Sequence, residues 1–422
     1  MFRPLRLLSL SALLIGGTAA PLWAVTPEEV VDTYGRIAEA TFEDGARTAE
    51  TLRAAVAAFV AAPSDATLTA ARAAWIEARV PYQQSEVFRF GNAIVDDWEG
   101  RVNAWPLDEG FLDYVEDGTG ENEDNPHAAL NIVANPRFSF SGTEIDASQI
   151  TPALIAGQLH EADGVDANVA SGYHAIEFFL WGQDLNFTGP GAGNRPFTDY
   201  VQGDGCTNGH CDRRAAYLVA VTDLLVADMQ EMAANWREGG AARISVSTDA
   251  KGTILKMLTG MGSLSYGELA GERMKLGLML NDPEEEQDCF SDNTHNSHYY
   301  DGIGIRNIYT GSYTRADGSV ISGPSLSQLV AEKDPSIDAT LRAELDATVA
   351  ALGAIKTAAE NGMAYDQMLE PGNDQGEALI LTAVDALVTQ TGSIERAVAA
   401  LGLSKIELEG SDSLDNPGTV LK

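Results

Sequence analysis

The sequence predicts an all-α protein with two helical-bundle-like domains and long functional loops. Most of the 422 residues show apolar side chains three and four positions apart, the spacing that places them on one helix face. Strand signals are faint and confined to short stretches such as residues 137–140, RFSF. Hydrophobic residues make up 45% of the chain and no simple repeat is present, which excludes collagen-like and disordered proteins.

Residues 1–24 read as a signal peptide rather than as part of the fold. Arg3 and Arg6 precede an apolar run that ends in small residues, with cleavage after Ala20 or Ala24. No later apolar run reaches the length that spans a bilayer. We therefore expect an exported protein without a membrane span in its mature chain.

The predicted helices follow in order along the mature chain. The first two are separated by a turn in which Ser64 or Asp65 can cap the second helix. The segments with helical periodicity are 27–61, 65–81, 151–181 (one helix or a pair), 212–237, 249–280, 325–361 and 374–402.

Long loops are predicted between these helices, at 91–148, 182–211 and 281–324. Loops of this length are usually functional or disordered, and their aromatic and ionisable residues favour function. The Gly/Pro/Asn-rich stretch 186–211 is the natural domain boundary. The predicted domains are 25–200 and 206–405, followed by a tail at 406–422.

The chain is strongly acidic, with 27 Lys and Arg against 62 Asp and Glu and a net charge of −35. Such a protein repels phosphate backbones and anionic lipid, so nucleic acid is excluded as a partner. Cations are better partners, although a solvated acidic surface explains the charge equally well. The chain also lacks the HExxH, Walker and Gly-x-Ser-x-Gly motifs.

The three cysteines fit an oxidising compartment. Cys206 and Cys211 lie in a Gly/Asn-rich turn, where a small disulfide loop is expected. A two-thiolate metal site with His210 is the alternative. Cys289 has no obvious partner.

The segment GYHAIEFFLWG, residues 172–182, carries the sharpest functional signal. His174 and Glu177 are three positions apart and so project from one helix face, surrounded by apolar residues that predict burial. A buried carboxylate needs a cation, a proton or hydrogen-bond donors. The pair is therefore either a metal site or a hydrogen-bonded core pair.

A second cluster of ionisable residues occupies the predicted loop at 284–302. Dense oxygen ligands suit hard cations, and added His or Tyr favours iron over calcium. A solvated acidic loop is the alternative. The candidate ligands are Asp288, Asp292, His295, His298, Tyr299 and Asp301.

A third candidate ligand, Glu86, lies past Pro81, where the helical rhythm is disturbed. It could complete a metal site, or pair with Arg79 or Arg89. In the following loop, packing and capping explain Trp105 and Asp108.

Several segments resemble one known family. GYHAIEFFLWGQD is similar to the Gly-x-His-x-x-Glu signature of the imelysin-like family, also called the M75 peptidase family. The match spans nearly all of the mature chain and resembles the iron-regulated protein A branch in particular. The other matching segments are SEVFRFG, VNAWPLDEGFLDYV, SYGELAGERM and EEEQDCFSDNTH.

The resemblance implies two helical domains, each related to a four-helix bundle, with the motif helix near their interface. It places function on Gly172, His174 and Glu177, and more weakly on Glu86 and Arg273. It also implies a periplasmic or outer-membrane-associated protein tied to iron supply.

Three functions are compatible with these patterns. The first is a periplasmic metal-binding protein for iron uptake or handling, which takes iron or an iron complex and works with an envelope transport partner. Zinc and calcium are alternative metals. The second is an M75-type metallopeptidase, and the third is a helical envelope scaffold without metal.

Overall fold

A computed structural model describes residues 24–116 and 125–420 and confirms the all-α prediction. The predicted signal peptide, apart from Ala24, lies outside the described residues. Within the described ranges, no helix combines the length and apolarity needed to cross a bilayer. The strands of these ranges form two antiparallel hairpins, β1 Arg137–Phe140 with β2 Thr143–Asp146, and β3 Ser312–Thr314 with β4 Val320–Ser322.

The first two helices begin where the sequence places capping residues. Thr26 and Glu29 form a capping box at the start of the first helix, and Ser64 caps the second as predicted. The second helix continues through Pro81 instead of ending there. The helices are α1 Pro27–Ala61, α2 Asp65–Ser85, α3 Ala93–Asn103, α4 Glu109–Leu112, α5 Pro152–Leu154 and α6 Gly172–Trp181.

The predicted helical segment 151–181 is wrong over its first half. Only α6 is a regular helix there, because the chain between α5 and α6 breaks into π-helical and 3-10 turns. Glu161 and Asp163 have positive φ, a conformation that no α-helix contains.

The second half contains the longer run of helices. One predicted segment, 325–361, is split in two because Asp334 caps a new helix that begins at Pro335. The helices are α7 Cys211–Trp236, α8 Ala241–Ser247, α9 Ala250–Ser263, α10 Leu276–Leu280, α11 Thr294–Thr310, α12 Leu326–Lys333, α13 Pro335–Glu360, α14 Tyr365–Leu369, α15 Asp374–Ala400, α16 Asp412–Asp415 and α17 Pro417–Val420. A π-helical segment, Leu264–Lys275, joins α9 to α10.

Helix α11 lies in what the sequence predicts as a loop, 281–324. The first part of its buried face carries polar residues and glycines, and apolar side chains are buried only from Ile305 onward, so its periodicity is hidden. A Cβ on Gly304 would lie 2.7 Å from the carbonyl oxygen of Gln84, so glycine allows α11 to approach α2 closely.

Helix packing brings the two halves of the chain together. Helix α1 packs against α2 and α7, whereas α13 packs against α15 and α11 contacts both α2 and α13. Because α7 packs along α1, the division into 25–200 and 206–405 stays a prediction about folding units. The predicted tail is not separate, since Ile406 is buried and α16 packs on the π-helical segment.

Candidate metal centre

Helix α6 carries the motif and begins in close contact with the end of α3. Gly172 has a φ of +81°, and a Cβ at this position would lie 2.4 Å from the Val102 carbonyl oxygen. Glycine therefore allows α6 to start beside Asn103, the last residue of α3.

His174 and Glu177 are both buried, with 1% and 0% of their surfaces exposed. Nδ1 of His174 lies 3.0 Å from Oε2 of Glu177, and Nε2 lies 3.2 Å from Oδ1 of Asn103. The motif pair therefore forms part of a polar network inside the protein.

The segment between the 3-10 turn Pro283–Glu285 and α11 covers this pair. Asp288 supplies an oxygen 3.9 Å from Nδ1 of His174. The backbone N–H and the hydroxyl of Ser291 both donate to Oε1 of Glu177, at 3.0 Å and 2.6 Å. His174, Glu177 and Asp288 each direct one ligand atom into a group whose members lie within 4.8 Å of one another.

Arg79 neutralises part of this group and fixes the orientation of the Asn103 amide. Its guanidinium lies 2.6 Å from Oδ1 of Asp288 and donates to Oδ1 of Asn103 at 2.5 Å. The amide nitrogen of Asn103 donates instead to Glu86 and Glu99. Oδ1 of Asn103 is therefore an acceptor facing His174.

The imidazole of His174 has two hydrogen-bond acceptors beside it, Glu177 and Asn103, but only one proton to donate when it is neutral. Burial, followed by the charge of Arg79, lowers the pKa of His174 to about 3, so the imidazole is neutral and carries one N–H. Whichever ring nitrogen carries that proton, the other faces an acceptor, either Oε2 of Glu177 at 3.0 Å or Oδ1 of Asn103 at 3.2 Å. With the proton on Nε2, a proton on Glu177 or a cation bound at Nδ1 satisfies both contacts. Burial and the charge of Asp288 raise the pKa of Glu177 well above its usual range.

Glu86, predicted as a third ligand, does not belong to the three-residue group. Its carboxylate pairs with Arg273 at 2.6 Å, whereas Arg89 lies 3.7 Å away. Arg273 also pairs with Asp301 at 3.0 Å. The structure therefore brings Asp288, rather than Glu86, to the motif pair.

The Glu99 carboxyl gives a testable pH dependence. Burial, opposed by the charge of Arg89, raises the pKa of Glu99 to about 7. The folded state then binds more protons than the unfolded chain between pH of about 4 and 7, so its contribution to stability falls as pH rises. Between about pH 5 and 8 the free energy of unfolding of the unmodified protein should fall as Glu99 loses its proton. In Glu99→Gln this fall should be smaller, by up to about 3 kcal/mol.

Urea unfolding at several pH values measures this effect. Glu28→Gln, at an exposed position on α1, is the control and should follow the unmodified protein. A Glu99→Gln curve parallel to that of the unmodified protein would contradict the assignment.

The other candidate ligands of residues 284–302, called the acidic segment below, lie outside the group of His174, Glu177 and Asp288. His298 is buried beside Tyr365, and neither ring nitrogen has a hydrogen-bond partner among the described residues. His295 contacts Asn296 through Nε2, and Tyr299 packs against Tyr300. Asp292 belongs to a different carboxylate cluster, considered below.

The remaining predicted residues have structural contacts away from the motif pair. Asp108 accepts a hydrogen bond from Asn125 at 2.6 Å, and Trp105 is half-buried. Cys206 and Cys211 are joined by a disulfide, whereas Cys289 is a free thiol whose pKa is raised by burial.

Sequence reasoning missed Asn103 and Ser291, and it considered Arg79 as a partner of Glu86 rather than of Asp288. None of them stands near the motif in the chain, and an amide, a hydroxyl or an arginine within a loop or helix carries no metal-ligand pattern. Only the convergence of α2, α3, α6 and the acidic segment brings them together.

The sequence profile of the imelysin family, Peptidase_M75, matches residues 38–394. The chain belongs to the imelysin family. The iron-regulated protein A of Synechococcus elongatus is 22% identical over 389 residues, which cover 89% of this chain and 87% of that protein.

Two imelysin-family crystal structures have a similar fold. A protein from Parabacteroides distasonis, described as an iron-regulated protein A precursor, gives a TM-score of 0.64 at 20% identity over 90% of this chain and 97% of its own. An imelysin-like protein from Psychrobacter arcticum gives a TM-score of 0.57 at 15% identity over 92% of this chain and 99% of its own.

Proposed function

We propose that this imelysin-family protein binds iron through His174, Glu177 and Asp288 and acts in iron uptake or handling. The observation that carries the proposal is the buried contact between Nδ1 of His174 and Oε2 of Glu177, which lie 3.0 Å apart in a site where a neutral imidazole cannot donate to both Glu177 and Asn103. A cation shared by the two atoms satisfies both, and Asp288 offers a further oxygen nearby.

The charge of the surrounding network also favours a cation. Buried and half-buried carboxylates outnumber the arginines that face them, so the network is negative unless it takes up protons or a metal. The arginines are Arg79, Arg89 and Arg273, and the carboxylates are Glu86, Glu99, Glu177, Glu268, Asp288 and Asp301.

Iron is the metal that the ligand chemistry and the relatives favour together. One imidazole with two carboxylates suits iron, and zinc also accepts such ligands. The relative from Synechococcus elongatus is named for regulation by iron. We infer from this likeness that the protein works in the periplasm after export, and that an envelope transport protein is its partner.

Burial of the ligands places metal binding ahead of peptidase activity. A catalytic metal keeps an open position for water and substrate. His174, Glu177 and Asp288 are each at most 1% exposed, so a polypeptide cannot reach them in this conformation. Iron itself reaches them only when the covering segment 286–293 moves.

Titration of the chelator-stripped full chain with ferrous and ferric iron tests the proposal. We expect one site whose affinity falls at least about 100-fold in His174→Ala, because ligand loss exceeds the 10–100-fold cost of a second-shell change. His210→Ala, at an exposed position, is the control and should bind as the unmodified protein does.

Three results would contradict the proposal. One is unchanged stoichiometry and affinity in His174→Ala, another is tight zinc binding with no iron binding, and the third is that neither ion binds. A scaffold without metal would show neither ion bound, with a lower melting temperature in Glu177→Ala.

A further inference from the structure

A second group of carboxylates lies beside the metal centre but does not share its ligands. Asp184 follows the end of α6, Asp292 lies in the acidic segment, and Asp366 lies on α14. One oxygen from each belongs to a group whose members lie within 4.8 Å of one another. Three separate parts of the chain therefore converge on one point with oxygen ligands only.

Two buried carboxylates of this region have few hydrogen-bond donors. Asp366 is 3% exposed, and neither of its oxygens accepts a hydrogen bond from a described side chain. Glu286 is 1% exposed, and the Thr294 hydroxyl is the side-chain donor close to it. Asp366 supplies one of the three clustered oxygens, so a buried carboxylate without an ion-pair partner lies within the group itself. Unsatisfied buried carboxylates are costly, so their presence points to a missing partner.

No protein cation fills that role in the described part of the chain. Asp288 and Asp301, in the same region, have arginine partners at 2.6 Å and 3.0 Å. Asp184, Asp292 and Asp366 have no ion pair with a described arginine, lysine or histidine. Burial and the neighbouring carboxylates raise the pKa of Asp292 to about 8.

We propose that Asp184, Asp292 and Asp366 form a second cation site that takes a hard divalent ion of the calcium class. Oxygens that share a calcium ion at about 2.4 Å lie at most about twice that distance apart, which the group satisfies. Calcium accepts several carboxylates with irregular geometry. Magnesium is usually held by one or two carboxylates and keeps its water, so the cluster suits it less well.

The second site shares one segment of chain with the first. Ser291, which donates two hydrogen bonds to Glu177, is the neighbour of Asp292. A cation on Asp292 therefore ties down the segment that covers His174 and Glu177. The second site itself does not depend on iron binding at the first.

Calorimetric titration of calcium chloride into the chelator-stripped full chain tests the proposal. We expect one site whose affinity falls at least about tenfold in Asp366→Asn and in Asp184→Asn. Asp385→Asn removes the same charge at an exposed position on α15 and should bind as the unmodified protein does. No calcium binding, or equal loss in all three variants, would overturn the proposal.

Melting temperatures separate loss of the site from loss of the fold. Without calcium, Asp366→Asn should melt no lower than the unmodified protein, because the change removes repulsion between buried carboxylates. Calcium should then raise the melting temperature of the unmodified protein only. An equal rise in both proteins would overturn the proposal.

The two sites are distinguished by a crossed comparison. His174→Ala should still bind calcium, and Asp366→Asn should still bind iron, because each change leaves the ligands of the other site in place. Loss of calcium binding in His174→Ala with retention in Asp366→Asn would place the calcium at the motif pair and overturn the second site.

Discussion

Replacement of Arg273 by methionine is expected to lower the free energy of unfolding by about 3–5 kcal/mol. The guanidinium is 5% exposed and pairs with Glu86 at 2.6 Å and with Asp301 at 3.0 Å. Methionine fills a similar volume but leaves both carboxylates buried without their partner. Removing one member of a buried ion pair costs far more than the pair itself contributes, because an uncompensated charge stays inside.

Urea unfolding at neutral pH measures the change. Arg306→Met is the matched control, since Arg306 pairs with Asp346 on the surface, where 43% and 62% of the two side chains are exposed. We expect that variant to lose less than about 1 kcal/mol. Similar losses in the two variants would show that the buried network does not stabilise the fold as proposed.

Replacement of Gly172 by alanine is expected to lower the free energy of unfolding by about 2–4 kcal/mol. The φ of +81° is strained for any residue with a Cβ, and the added carbon would lie 2.4 Å from the Val102 carbonyl oxygen. Since backbone blocks the new atom, α6 must shift away from α3. His174 and Asn103 then separate, so iron affinity should fall together with stability.

Gly392→Ala is the control for this change. Gly392 lies within α15, and nothing lies within 4 Å of its built Cβ. Alanine there should stabilise the protein by about 0.5–1 kcal/mol. Thermal unfolding of both variants and iron titration of Gly172→Ala measure these effects. Unchanged iron affinity in Gly172→Ala would show that the start of α6 does not position the iron ligands.

The long helices were predictable because each one carries its own signal. Helix α1 has a capping residue at Thr26 and apolar residues on one face, and α15 has the same periodicity. Helix α11 had no such signal. Its buried residues before Ile305 include His298, Asp301 and Gly304, so no apolar stripe runs along the whole helix.

The candidate site was predictable only in part for the same reason. His174 and Glu177 share one helical turn in an apolar segment, so sequence spacing alone pairs them. Asp288 stood among many acidic residues of one segment, and Glu86 had an equally good pattern. An arginine pairs with each of the two carboxylates at 2.6 Å, so the choice depends on which one lies beside His174, and that contact joins residues more than one hundred positions apart.

The sequence by itself determined the all-helical class, the family and the motif pair, because these depend on local periodicity and on residues within one turn. The tertiary structure alone decided which distant groups surround the pair. In the folded protein Asn103 and Asp288 lie beside His174, and Arg273 forms an ion pair with Glu86. Asp184, Asp292 and Asp366 form one cluster. The physical reason is that charge, burial and hydrogen-bond satisfaction depend on distances in space, which spacing along the chain does not fix.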